Sequence, residues 1–81
     1  MIKNIENVKK PLSEIRKDIA KGKLPGATRI EGNYQKHFEQ PHIHFSRGAL
    51  NIDGTWKRGG FSLTNRQKDY LDNVGWGLPK E

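Results

Sequence analysis

The chain contains no cysteine, so no disulfide braces it and no thiolate zinc site can be built from it. That absence leaves the compartment open. Hydrophobic residues make up only 32% of the 81 positions, and no apolar run approaches the roughly 20 residues that a bilayer span requires. The expectation is a soluble chain with no membrane partner. A secretory leader needs a basic start followed by an apolar stretch of about 7–15 residues, and Met1-Ile2-Lys3-Asn4-Ile5-Glu6 breaks that pattern at once. If the chain is exported, something else carries it. Acidic residues are scarce as well: nine Asp and Glu stand against fifteen Lys and Arg, a net charge of +6. Such an excess favours a polyanionic partner through attraction and counterion release, although it also serves plain solubility. It is uneven, with seven basic and three acidic residues in 1–24, five and three in 25–60, and three and three in 61–81. The basic surface is expected on the first two thirds of the chain.

The length allows one domain, spanning 1–81, with a small core and modest stability. Pro11 to Gly22 reads as a helix, with Pro in its first turn, Gly just past its end, and Leu12, Ile15 and Ile19 on one stripe. Ile2, Ile5 and Val8 continue a loose helical spacing upstream, but Pro11 would crowd the preceding turn, so a second short helix or a kink is expected there. Arg29-Ile30-Glu31 reads as a short strand before Gly32-Asn33, and His42–Phe45 as the clearest strand, with Pro41 at its start. Ala49–Ile52 alternates, Asp53-Gly54 signals a two-residue hairpin turn, and Thr55–Arg58 alternates back. Gly59-Gly60 breaks the strand, and Phe61-Ser62-Leu63 is a candidate third rung. Thr64 with Gln67 three residues later has capping-box spacing, Tyr70, Leu71 and Val74 form an apolar side, and Gly75 stops the helix. Trp76 is expected in the core. The order of elements is α+β: an N-terminal helix or helices on a small antiparallel sheet, then a short C-terminal helix.

Three histidines, His37, His42 and His44, fall within eight residues, and the chain has no others. On a strand, His42 and His44 share one face while Ile43 and Phe45 share the other. At about 3.3 Å rise per residue the two imidazoles stand roughly 6.6 Å apart, able to flank one phosphate. Cleaving RNA without a metal needs a base for the 2′-hydroxyl, an acid for the leaving oxygen, and cations for the charge that builds on phosphorus. Histidine suits the first two roles because both its forms exist near neutral pH, and Lys and Arg suit the third. His42, His44, Arg47 and Lys57 are the candidate catalytic residues, with the histidines expected to face outward. No metal or other cofactor is expected.

The sharpest rival is metal binding. His-x-His on a strand presents two neutral nitrogens to one ion, and Glu39 or His37 would complete three ligands. Glu31, Glu39 and Asp53 are too few carboxylates for a two-metal nuclease. Aromatic residues beside basic ones, Tyr34 near Lys36 and Trp56 beside Lys57 and Arg58, are candidates for stacking unpaired bases while cations, with His37, hold phosphates. On a regular strand Trp56 and Arg58 share one face and Lys57 takes the other, so a common site needs a twist or a bulge.

Pro41-His42-Ile43-His44-Phe45, then Gly48-Ala49-Leu50-Asn51-Ile52-Asp53-Gly54-Thr55-Trp56-Lys57, then Leu63-Thr64-Asn65 and Gly75-Trp76, resemble the C-terminal toxin domains of bacterial polymorphic and contact-dependent inhibition systems. The resemblance covers roughly residues 33–79. Many such domains resemble the barnase, EndoU, colicin and RelE-like ribonuclease fold, in which N-terminal helices pack on an antiparallel sheet that cuts RNA, often tRNA, without metal. The resemblance implies histidine and basic side chains on the sheet at the positions His42, His44, Arg47 and Lys57. It also implies an acidic immunity protein over the active face, delivery as the C-terminal part of a larger effector, and action in the target-cell cytoplasm. A metal-dependent nuclease and a non-catalytic nucleic-acid or partner-binding module remain the alternatives.

Overall fold

The computed structural model describes residues 8–32 and 41–79. Two helices, α1 (Leu12–Ala20) and α2 (Asn65–Val74), enclose four strands in sequence: β1 (Ala27–Glu31), β2 (His42–Phe45), β3 (Gly48–Asn51) and β4 (Trp56–Gly59). The strands form one antiparallel sheet in the order β1-β2-β3-β4. The α+β reading holds, with one helix before the sheet and a short one after it. The upstream helix expected around Ile2 and Ile5 lies outside the described residues. Among the described residues, no helix is long and apolar enough to cross a membrane.

Alternation sets the two faces. Ile43 and Phe45 of β2 turn toward Ile30 of β1 and Leu50 of β3, and this face meets Ile15 and Ile19 of α1 and Leu71 and Val74 of α2 in one buried cluster. Trp76 joins it at 3% exposure, as expected. Helix α2 starts at the anticipated capping box: Gln67 N–H donates to Thr64 Oγ1 at 3.2 Å, and Thr64 N–H to Gln67 Oε1 at 2.8 Å. Gln67 is itself buried, and its Nε2 donates to the Pro25 carbonyl at 2.7 Å, which ties the cap to the lead-in of β1. Gly75 closes the helix in a left-handed conformation.

The α1–α2 contact is polar at one point. Asp18 is buried, and its Oδ2 accepts from Lys10 Nζ and from Tyr70 Oη, each at 2.8 Å. The Lys10 hydrogen bond, then that from Tyr70, outweigh the burial that opposes ionisation and hold the Asp18 carboxyl below its usual range. A carboxyl with a lowered folded pKa contributes stability above its ordinary pKa, and this is lost as pH falls through the folded value. Asp18→Asn is therefore expected to cost about 2 kcal/mol at neutral pH, a fall in Tm of roughly 8–16 °C. That loss should shrink in acid. Thermal melts of both proteins across pH check it: an equal deficit at every pH would show that the charge contributes nothing.

The β3–β4 hairpin departs from the two-residue turn expected at Asp53-Gly54. Asn51 N–H donates to the Thr55 carbonyl at 2.8 Å and Gly54 N–H to the Asn51 carbonyl at 2.9 Å, so the loop is Ile52, Asp53 and Gly54. Ile52 is drawn out of the ladder because its side chain is fully buried, its N–H bonds Pro41, and its carbonyl receives Gly77 N–H. Asp53 Oδ1 accepts from Thr55 N–H at 3.0 Å and from the Thr55 hydroxyl, fixing the return. Phe61-Ser62-Leu63 forms no further rung, since Gly59 and Gly60 both take positive φ and turn the chain off the sheet. Phe61 instead meets the Trp56 ring at 5.2 Å between centroids, and Leu63 enters the core.

Candidate active site

The histidine face of the sheet is the one turned away from the helical core. Register places Arg29 of β1 and Ala49 of β3 opposite His44, Glu31 and Asn51 opposite His42, and Arg58 of β4 opposite Ala49. Directly opposed residues share a face. The last pairing rests on an irregularity. A register shift between Ala49 and Leu50 pairs Leu50 with Trp56 but Ala49 with Arg58, so Lys57 is the extra residue of a bulge. Trp56 consequently sits half-buried on the core face, while Arg58 stands on the histidine face. The shared face that alternation assigns to Trp56 and Arg58 is thus corrected, and Trp56 is not positioned to stack bases beside the histidines.

Three charged or titratable groups connect across the sheet. Glu31 Oε1 lies 2.8 Å from His44 Nε2, and Arg58 Nη2 lies 3.3 Å from His44 Nδ1. Adjacent strands are about 4.8 Å apart, so only a long side chain crosses from β4 to β2. The small Ala49 between them lets it pass. Arg29 Nε is 3.4 Å from the same Glu31 oxygen, and the His42 and His44 rings meet edge to face at 4.8 Å between centroids. Because a guanidinium can only donate, His44 Nδ1 must accept, and the neutral ring carries its proton on Nε2, toward Glu31. The carboxylate oxygen stands close but off the N–H axis, which leaves that buried Nε2–H without an aligned acceptor.

Both histidines are buried, His42 at 3% exposure and His44 at 8%. This corrects the expectation that they face outward into solvent. Alternation fixes which face a side chain occupies and is silent on what covers it, and here the His44 ring is enclosed by His42, Glu31 and Arg58. Burial first, then the neighbouring Arg29 and His42 charges, push the His44 pKa below that of a free imidazole, against the opposing pull of Glu31. Glu31 goes the same way. Partial burial favours its neutral form, but Arg29, the His44 contact and the two imidazoles together outweigh that and hold it below the usual glutamate range. The Glu31 side chain is half exposed, so its carboxylate, like the exposed Arg29 and Arg58, is open to an incoming molecule.

The other candidates sit elsewhere. Arg47 is exposed in the β2–β3 turn, and Lys57 is exposed at the bulge. Arg58, assigned above to nucleic-acid binding, takes the place beside His44 that was expected of Arg47 and Lys57. His37, Tyr34, Lys36 and Glu39 lie outside the described residues. Glu31 and Arg29 are the residues the sequence reading missed as site members. Alternation of Arg29-Ile30-Glu31 around an inward Ile30 was the available signal, and what it lacked was the pairing of β1 with β2.

Glu31, His42 and His44 each offer one ligand atom, all within 4.8 Å of one another, as a three-ligand metal site would require. The surrounding cations argue against it. Two guanidiniums, Arg29 beside Glu31 and Arg58 beside His44, stand against these ligands and repel a further cation. No family model matches the chain, and no curated protein or solved structure matches it significantly.

Proposed function

We propose that the chain is an endoribonuclease that cleaves RNA, tRNA among the candidate substrates, by acid–base chemistry without a metal. The observation that carries this reading is the line from Arg58 through His44 to Glu31 across three strands. It joins a carboxylate, an imidazole and a guanidinium on one face of the sheet, with a second guanidinium at Arg29. The half-exposed Glu31 carboxylate, held ionised by its neighbours, is the group placed to accept a proton, and His44 Nε2 beside it is the group placed to give one, which makes Glu31 the base and His44 the acid. Glu31 takes the proton of the ribose 2′-hydroxyl, and that oxygen attacks phosphorus. The bond to the 5′-oxygen then breaks as that oxygen receives a proton from His44, leaving a 2′,3′-cyclic phosphate. Arg58 and Arg29 offset the charge that develops on the phosphoryl oxygens. His42 supports the His44 ring edge-on.

In this reading the domain is the toxin part of a larger bacterial competition effector, acting in the cytoplasm of the cell that receives it. The resemblance of residues 33–79 to such domains supports it, and the +6 charge suits an acidic immunity protein as the cognate partner. A metal-dependent nuclease is the second reading, favoured by the ligand spacing of Glu31, His42 and His44. A binding module predicts no turnover at all. Incubating the purified protein with RNA and with DNA of the same sequence, with and without excess chelator, separates the three. RNA should be cut equally in both conditions and DNA left intact. Activity that chelator abolishes and zinc or magnesium restores would transfer the site to the metal reading.

A further inference from the structure

A cleft of about 260 Å³ opens at the β2–β3 turn, lined by Phe45, Ser46, Arg47, Gly48, Arg58 and Gly59. Its lining carries two guanidiniums and no carboxylate. One face of it is bare backbone, and necessarily so. A side-chain carbon at Gly48 would meet Gly60 N at 2.7 Å and the Arg58 carbonyl at 2.8 Å, and one at Gly59, whose φ is 61°, would collide with the Arg47 carbonyl. The two chain segments thus fill the space a side chain would take, which leaves the Arg47 and Arg58 guanidiniums as the charged groups of the cleft. The cleft also adjoins the proposed site. His44, Ala49 and Arg58 make one rung of the sheet; Phe45, Gly48 and Gly59 make the next, which faces the other side. The link is therefore the Arg58 side chain, which lines the cleft and contacts His44.

We infer that this cleft is a subsite for the nucleotide next to the cleaved bond, with Arg47 holding its phosphate. The inference rests on the ribonuclease reading. The substrate class is single-stranded RNA with at least one phosphodiester beyond the one that is cut, because a base paired and stacked in a duplex cannot turn into the cleft. Arg47 is then a binding residue and not part of the acid–base step, a different role from the one its place after the histidines suggests.

The test measures binding of a six-nucleotide RNA methylated at every 2′-oxygen, which cannot be cleaved by this route, across a series of salt concentrations. Turnover of a dinucleoside monophosphate, which lacks the extra phosphate, is followed in parallel. Arg47→Gln should weaken hexamer binding roughly tenfold, as loss of one charged hydrogen bond does. It should also make the log–log salt slope shallower by about 0.7, one phosphate on a single strand. Dinucleotide turnover should not change, and Arg47→Lys should restore the slope. Unchanged hexamer affinity and slope in Arg47→Gln would overturn the subsite. So would an equal loss on the dinucleotide, which would place Arg47 at the scissile phosphate. If hexamer binding depends on Arg47 but the wild-type protein cuts no RNA, the subsite stands as a binding site and the ribonuclease reading fails.

Discussion

Glu31→Gln should lower kcat on RNA by a factor on the order of 10²–10⁴, the usual result of removing a general base, while leaving Tm nearly unchanged. The side chain is half exposed and supports no part of the core, so the amide can occupy its place without strain. This makes it a cleaner probe than either histidine. His42→Ala or His44→Ala should lower activity by a similar factor, but each also empties a buried position, and the loss of packing would confound the rate. The pH profile adds a sign. Glu31 must be ionised and its pKa is depressed, so the acidic limb of kcat/KM should lie below the usual glutamate range; His44 must be protonated and its pKa is depressed, so the alkaline limb should lie below that of a free imidazole. Activity should therefore be highest in mildly acidic solution, and Glu31→Gln should abolish the acidic limb alone. A variant retaining activity within tenfold of wild type, with both limbs in place, would remove Glu31 from the chemistry.

The largest loss of stability should come from Gly54→Val. Gly54 sits at φ 89°, where a β-branched residue is strained, and its side-chain carbon would meet the Leu78 carbonyl oxygen at 2.6 Å and Gly77 C at 3.1 Å. The strain alone costs about 1–3 kcal/mol. The clash adds to it, because Gly77 N–H is bonded to Ile52 at 2.9 Å and the tail cannot withdraw without breaking that bond. A fall in Tm of roughly 15 °C or more is expected. Calorimetry or a circular-dichroism melt reads it directly, and a melting temperature within 3 °C of wild type, well under the roughly 4–8 °C that 1 kcal/mol produces in a domain this size, would show that the hairpin loop and tail are not packed as described.

Local rules carried most of the fold because each element has a chemical marker of its own. Thr64 and Gln67 bracket α2 at one end and Gly75 at the other, and His42–Phe45 alternates without interruption. The failures share a cause, since each depends on which segments meet. The Asp53-Gly54 pair looks like a two-residue turn until Ile52 is claimed by the core and by Pro41 and Gly77. The β4 bulge puts Trp56 and Arg58 on opposite faces, and no periodicity in Thr55–Arg58 announces it. The same holds at the site. His42 and His44 could be placed side by side from their spacing, but the partners that bury and polarise them, Glu31 and Arg29 from β1 and Arg58 from β4, become visible only once the sheet order is known.

The most direct measurement uses a DNA oligonucleotide that carries one ribonucleotide, digested in excess chelator, with the product ends weighed by mass spectrometry. Acid–base transfer through the ribose 2′-hydroxyl predicts a single cut, immediately 3′ of the ribonucleotide, leaving a 2′,3′-cyclic phosphate on one fragment and a 5′-hydroxyl on the other. Cuts at deoxynucleotides, fragments ending in 5′-phosphate, or an intact strand until a divalent ion is supplied would contradict it.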